Sequence, residues 1–421
     1  MNHVYAGSPN PLKKWNPKGL GYPPAFHLFA AEVPGGVRAV HLHISGLTGT
    51  TRDDGSSVAS AAEQCEVAYQ KVSAALAAAG MSWADVVHRT TWMTEECSLS
   101  DVRLAEAAAM GGAMMTASAV VIDALSDGCF VEVEVFAAKA DADVEADEPV
   151  RRFGLPGTPP PTPPGLWGCT TVQSSALLFV SGQVGDTTPA EQPEAVYAQL
   201  SSTLADAGYT WGDAVKRRTF RTPGWDRSAD IEAGRLAMDG AMSAHTGVGV
   251  TRLAAPEFLV ETELVAARTV LTESDGGAAA AAGSVRRWGR TGWGSAEAVE
   301  VPPGARLLFT AGVVGKLSDG ITLAPTAAEQ CVHVFENLGV ILADAGLNWG
   351  DCVKMVMYFT SDCDLAVLRD ARAVALGKDL ACAATGIGVR EIPETPGAVV
   401  AIDIIAAAVD REGASGGAAS L

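Results

Sequence analysis

One pattern recurs three times along this chain, and it limits the fold more than any other feature of the sequence. The pattern is Ala-Glu-Gln, then Ala-Gly-x-x-Trp-x-Asp. The first copy has Glu63 and Gln64, then Gly80, Trp83 and Asp85; the second has Glu191 and Gln192, then Gly208, Trp211 and Asp213; the third has Glu329 and Gln330, then Gly346, Trp349 and Asp351. In each copy Gln precedes Gly by 16 positions and Gly precedes Asp by five. Two spacings held fixed three times mean one unit repeated. Successive copies lie 128 and 138 residues apart. That period is too long for the short stacked repeats of a solenoid and fits three small domains.

Each unit reads strand, helix, strand, helix, strand, strand. This is an α+β domain: a mixed sheet with two helices on one face. The other face needs a cover, because one layer cannot bury both faces. Three tethered copies supply that cover to one another, so the chain is expected to close as an intramolecular pseudo-trimer. The expected division is an N-terminal arm at 1–24, a first domain at 25–140, a Pro-rich linker at 141–165, a second domain at 166–272, a Gly/Ala-rich linker at 273–290, a third domain at 291–410 and a disordered tail at 411–421. Gly80 is expected to stop the first helix of unit one as a C-terminal cap. The edge strands are expected at 118–125 in unit one, 247–253 in unit two and 385–392 in unit three.

Charge narrows the function classes. There are 30 Lys+Arg against 49 Asp+Glu, a net charge of −19. That repels phosphate backbones and argues against nonspecific binding to nucleic acid or an anionic membrane. No run approaches 18 apolar residues free of charge, so no membrane span is expected. Residues 1–15 lack the apolar core of a secretory signal. The eight cysteines form no CxxC pair and no zinc-like spacing. They read as reduced thiols of a cytoplasm or a comparable organelle lumen. No cofactor and no metal site is expected. His41 and His43 share a strand face, but no third ligand lies near them in sequence.

The motifs together resemble the RidA/YjgF family. They are Leu178-Phe179-Val180-Ser181-Gly182-Gln183, the Gln-led first helix ending in Ala-Gly, the Asp-x-Val-Lys runs ending at Lys216 and Lys354, and the acidic pairs Glu132/Glu134 and Glu261/Glu263. The match spans all three units. The resemblance implies a chorismate-mutase-like fold and a trimer with a small-molecule pocket at each interface. It also implies hydrolysis of enamines or imines to a 2-keto acid and ammonia. The family's deaminase depends on one Arg whose guanidinium grips the substrate carboxylate bidentately. Counting back from the last strands puts Ala117, His245 and Ala384 at that position, so the Arg is missing three times. The water-orienting Glu of the family maps to Glu132 and Glu261, with Ala401 in the third copy.

The ligand-facing residues implied by the resemblance are Ser45, Gly46, Ser181, Gly182, Gln183, Gly312 and the aromatics Trp167 and Trp293. Candidate catalytic positions are His245, Glu132 and Glu261. Copy two keeps Ser181, Gly182, Gln183 and Glu261, so the interface containing His245 is expected to take a small carboxylate or keto acid. Arg217, Arg218 and Arg221 are either exposed or salt-bridged, or else line an anionic pocket. The three Trp read as packing, the repeat's Glu as favourable first-turn charges, and its Asp as turn or strand-entry caps. The expected function is a non-catalytic small-molecule-binding or scaffold subunit, with a protein partner in a larger complex. The alternative is a divergent imine hydrolase acting at one surviving interface.

Overall fold

The computed structural model describes residues 3–4, 13–15, 27–28, 30–33, 39–52, 54–113, 115–125, 128–140, 150–153, 169–172, 177–241, 243–267, 286–288, 298–301, 306–377 and 382–408. Trp167, Trp293, most of both linkers and the tail at 411–421 lie outside the described residues.

Every letter of the repeat has a local physical task. Helices α1 (Ala61–Ala78), α3 (Gln192–Asp206) and α5 (Ala327–Asp344) follow it in the three units. In unit three, Thr326 and Glu329 form a reciprocal capping box at the start of α5. Each of these helices is followed by a glycine in the left-handed region, with φ of 68° at Gly80, 77° at Gly208 and 71° at Gly346. Trp83 donates to Ser73 Oγ at 2.8 Å and Trp211 to Ser201 Oγ at 2.9 Å. Asp85, Asp213 and Asp351 close capping boxes on Ser82, Thr210 and Asn348.

The repeated Gln is a clamp. Gln330 Nε2 donates to Ala324 O and to Gly397 O, both at 3.2 Å, and Gln330 Oε1 accepts from Val399 N at 2.8 Å. It ties the start of α5 to the entry of the last strand. Gln64 and Gln192 do the same in their units, accepting from Phe130 N and Leu259 N. Gln330→Leu keeps the bulk but strands three buried backbone groups, and is expected to cost about 2–3 kcal/mol. Urea unfolding checks this; a midpoint equal to wild type would make the clamp irrelevant.

Within each unit the sheet order is first strand, last strand, middle strand, edge strand. In unit one these are Ala39–Thr48, Val131–Ala140, Val86–Met93 and Thr116–Val121. In unit two they are Leu177–Val184, Val260–Ala267, Ala214–Arg221 and Ser243–Gly249. In unit three they are Arg306–Thr310, Val400–Ala408, Cys352–Phe359 and Ala383–Gly388. Middle and edge strands pair in parallel and the rest antiparallel, which makes each sheet mixed. The edge strand of unit two begins at Ser243, four residues before the expected start at 247. Ser243 to Thr246 carries small and polar residues without alternation, so the stretch reads as a loop. Its parallel partner, beginning at Lys216↔Ala244, supplies the hydrogen bonds that make it a strand. In unit one the expected strand 118–125 breaks at Ile122, and Ala124–Leu125 crosses to the edge strand of unit three.

The second helices, α2 (Leu99–Met110), α4 (Arg227–Met238) and α6 (Leu365–Leu376), complete the helical layer on one face of each sheet. The opposite faces meet on a pseudo-threefold axis. Two apolar clusters there draw on all three units: one around Phe136, Phe179 and Phe309, the other around Trp92, Phe220 and Tyr358. Main-chain pairing also locks units one and three together. Ala30–Val33 pairs with the first strand of unit three, and Ala298–Val301 with the first strand of unit one. Unit two keeps its own lead strand, Cys169–Val172, which is extended by Val150–Phe153 from within the stretch 141–165.

Candidate functional site

Each unit presents its first-strand end to the edge strand of the preceding unit, so there are three interfaces. At the unit one–unit three interface, Ala384 N donates to Ser45 Oγ at 2.8 Å and Gly46 N donates to Thr385 Oγ1 at 3.0 Å. Glu132 lies directly over Gly46, where any Cβ would collide with its carboxylate. At the unit two–unit one interface, Ala117 N donates to Ser181 Oγ at 3.1 Å, and Glu261 lies over Gly182 in the same way. The glycines are present because the carboxylates need the room.

Both carboxyls are buried and neither has a cation of its own. Burial, with the like charge of Glu134 adding to it, pushes Glu132 up to about 8 despite the attraction of Lys354. Burial and Glu263 push Glu261 up to about 8 as well. Both side chains therefore carry a proton at neutral pH.

The unit three–unit two interface is built differently. Ala311 replaces the serine and Ala401 the acid, and Gly312 N donates to His245 O at 3.1 Å. His245 is buried, with Nε2 3.1 Å from Thr219 Oγ1 and Nδ1 3.9 Å from Glu394 Oε1. Arg221, on the neighbouring middle strand, holds Asp230 of α4 at 2.8 Å and Glu394 of unit three at 2.6 Å. Burial opposes the Arg221 charge, but Glu394 and Asp230 outweigh it and raise the pKa.

This arrangement corrects one sequence expectation. His245 does not share an interface with Ser181, Gly182, Gln183 and Glu261. Ser181 and Glu261 meet Ala117 and Ser118 of unit one, with Gly182 beneath Glu261, while His245 faces Gly312 and Glu394 of unit three. Each interface joins the edge strand of one unit to the first strand of another, so residues of one unit serve different interfaces. The strand register makes Arg89↔Ala117, Arg217↔His245 and Met355↔Ala384 equivalent pairs, so the three counted positions correspond between units. Gln183 Nε2 donates to Ser181 O at 2.9 Å, within its own strand.

On the axis, between the two apolar clusters, lies a polar belt that sequence reasoning did not assemble, although it singled out Arg218 as salt-bridged or pocket-lining. Three acid–base–hydroxyl sets repeat around it. Lys354 Nζ lies 2.8 Å from Glu134 and 2.8 Å from Thr385 Oγ1. Lys216 Nζ lies 2.9 Å from Asp403 and 2.6 Å from Thr246 Oγ1. His88 Nε2 lies 3.4 Å from Glu263, which also accepts from Ser118 Oγ at 2.6 Å. Arg218 bridges Glu134 at 3.3 Å and Glu263 at 3.0 Å. The belt lines a cavity of about 90 Å³, room for a few waters and well below a drug-sized ligand's pocket. The signal was in the motifs: the Lys that ends Asp-x-Val-Lys, and the second acid of each last-strand pair. All three arginines of the unit two strand are buried or nearly so, and Arg218 and Arg221 are salt-bridged. Among the described residues no cluster of three His, Cys, Asp or Glu has metal-binding geometry. No helix among them is long and apolar enough to cross a membrane.

The family model described as endoribonuclease L-PSP matches residues 34–139, 165–268 and 296–408. The chain belongs to the endoribonuclease L-PSP family. Each L-PSP unit includes one copy of the repeat, and YjgF-family structures are among those it is similar to. One, from Mycobacterium tuberculosis, is 24% identical over 28% of this chain and 99% of that one, with a TM-score of 0.24. Another, from Neisseria meningitidis, is 26% identical over 29% of this chain and 97% of that one, with a TM-score of 0.23. A chorismatase structure is 18% identical over 77% of this chain and 93% of that one, with a TM-score of 0.46. No curated protein matches the sequence.

Proposed function

We propose that this L-PSP protein is a non-catalytic, covalently closed trimer that serves as a binding or scaffold subunit. One observation carries the reading: no interface pairs an acid at the water-orienting position with a basic residue at the position of the substrate-gripping Arg. The two interfaces that keep Ser, Gly and Glu have Ala117 or Ala384 at the position of the substrate-gripping Arg. The one with His245 at that position and Arg221 beside it has lost the acid to Ala401, and Glu394 already fills it. Imine hydrolysis needs both groups around one substrate, the cation for its carboxylate and the acid for its water.

The test is ammonia release from enzymatically generated 2-aminoacrylate. Loss of a bidentate carboxylate contact predicts a rate at least about 100-fold below that of an Arg-bearing family member. A comparable rate would overturn the proposal. The closed form also predicts a single-chain particle of 43.3 kDa in light scattering at micromolar concentration, and a particle of three chains would contradict it. The second reading, a hydrolase at one surviving interface, draws on Glu132 and Glu261, two protonated acids packed against Gly46 and Gly182 of the Ser-Gly pairs. If it holds, Glu261→Gln or Glu132→Gln abolishes whatever hydrolysis the wild type shows.

A further inference from the structure

We infer that the unit two–unit three interface is a carboxylate-binding site held shut by the chain's own Glu394, and that a small monocarboxylate takes the place of this side chain when it swings out. The inference rests on the non-catalytic reading of this interface and adds a ligand class to it.

The cation is Arg221, not the residue at the family's Arg position. Its guanidinium is buried and faces two acids of different origin. Asp230 comes from α4 of the same unit and is almost fully buried, with Arg221 Nε donating to its Oδ2 at 2.8 Å. Glu394 comes from a loop of another unit and keeps 17% side-chain exposure. Asp230 is therefore the permanent counter-ion, while Glu394 reaches in from the surface. Gly247 makes the space: a Cβ there would collide with both Glu394 Oε1 and Arg221 Nη1. The loop carrying Glu394 is held separately, by Arg227 Nη1 donating to Pro393 O at 2.8 Å and by the Gly249↔Glu391 bridge. The side chain can leave without the loop undocking.

The seat is also imperfectly satisfied. Glu394 Oε2 and Asp230 Oδ1 are buried and make no hydrogen bond among the described residues. A buried, unpaired carboxylate oxygen costs free energy comparable to a lost hydrogen bond, so the closed state is poised and not locked. Tyr197 lies within electrostatic reach of Arg217, Asp230, Arg221 and Glu394, which places four charges around one buried point. With Glu394 out, Arg221 and Arg217, both within reach of Tyr197, outnumber Asp230 there, and the site gains a net attraction for a monoanion. The vacated space is that of a carboxylate on two methylenes, which sets the ligand's size at about that of acetate or pyruvate. A side chain that occupies the site most of the time lowers apparent affinity by the fraction of time it is open.

The experiment titrates pyruvate into wild type and Glu394→Ala by calorimetry, with methyl pyruvate as the uncharged control. Removing the competing side chain is expected to tighten pyruvate binding at least about ten-fold, with no binding of the ester to either protein. Glu394→Gln, which keeps length and loses charge, is expected to show a smaller gain and carries the test should the alanine variant not fold. Equal pyruvate affinity in wild type and both variants overturns the inference, as does a gain matched by the ester. Imine hydrolysis by the wild type would sink the preceding proposal and leave this binding result standing, so the two fail separately.

Discussion

Replacing Glu132 and Glu261 by glutamine is expected to make the protein markedly more stable at pH 8. Both carboxyls have folded-state values of about 8, raised from 4.5 by burial. An acid raised on folding contributes stability that is complete below its unfolded value and lost as pH climbs through the folded value. At pH 8 the unfolded chain ionises both groups freely, while the folded chain resists. The cost is about 4 kcal/mol for each group at pH 8 and about 3 kcal/mol at pH 6.5. Glutamine keeps the shape and cannot ionise, so the double variant should show little pH dependence from this source between 6.5 and 8. The acid side behaves oppositely. Glu134 and Glu263 are held down to about 2, where Lys354 and Arg218, respectively, with other partners outweigh burial; their contribution is present above 4.5 and disappears as pH falls toward 2. Burial lowers His41 to about 4, so its contribution is complete above its unfolded value of 6.5 and lost below it. Denaturant unfolding at pH 6.5 and 8 decides the matter. A wild type no less stable at pH 8, with no gain in either variant, would mean that the two acids are solvated.

Arg218→Met is expected to destabilise the closed trimer by about 3–5 kcal/mol at neutral pH, because it leaves buried acids short of a partner. Arg218 belongs to unit two, yet it bridges Glu134 of unit one and Glu263 of its own unit. It also lies over the Trp92 ring at 5.8 Å and feels Tyr358 and Asp403 of unit three. The equivalent positions are Thr90 and Val356, so neither of the other units can substitute for it. Adding Glu263→Gln to Arg218→Met removes one stranded charge and should recover a substantial part of the loss. Unfolding midpoints of the two variants against wild type give the answer. A single variant within about 0.5 kcal/mol of wild type would show the belt to be electrostatically slack.

Three units, their helices and caps, and the correspondence of Ala117, His245 and Ala384 were all legible in the sequence. These depend on local physics. Gly80 stops a helix because a left-handed residue must follow it, and Asp85 caps a turn three residues away; such contacts repeat with the sequence and can be counted. Those three positions could be matched because strand register preserves spacing within a unit. What stands opposite Ala117, His245 and Ala384 could not be counted, because each faces another unit. The tertiary structure put Ser181 and Glu261 against unit one, and set His245 against Gly312. It brought Glu394 into contact with Arg221 across 173 positions, and it exchanged the lead strands of units one and three. It also set the charges: Glu132 and Glu134 are two residues apart on one strand, yet burial beside Gly46 keeps the first protonated, while Lys354 and Arg218 from the other units keep the second ionised. A sequence specifies near neighbours directly, but it specifies the partners of a buried charge only through the packing of whole units.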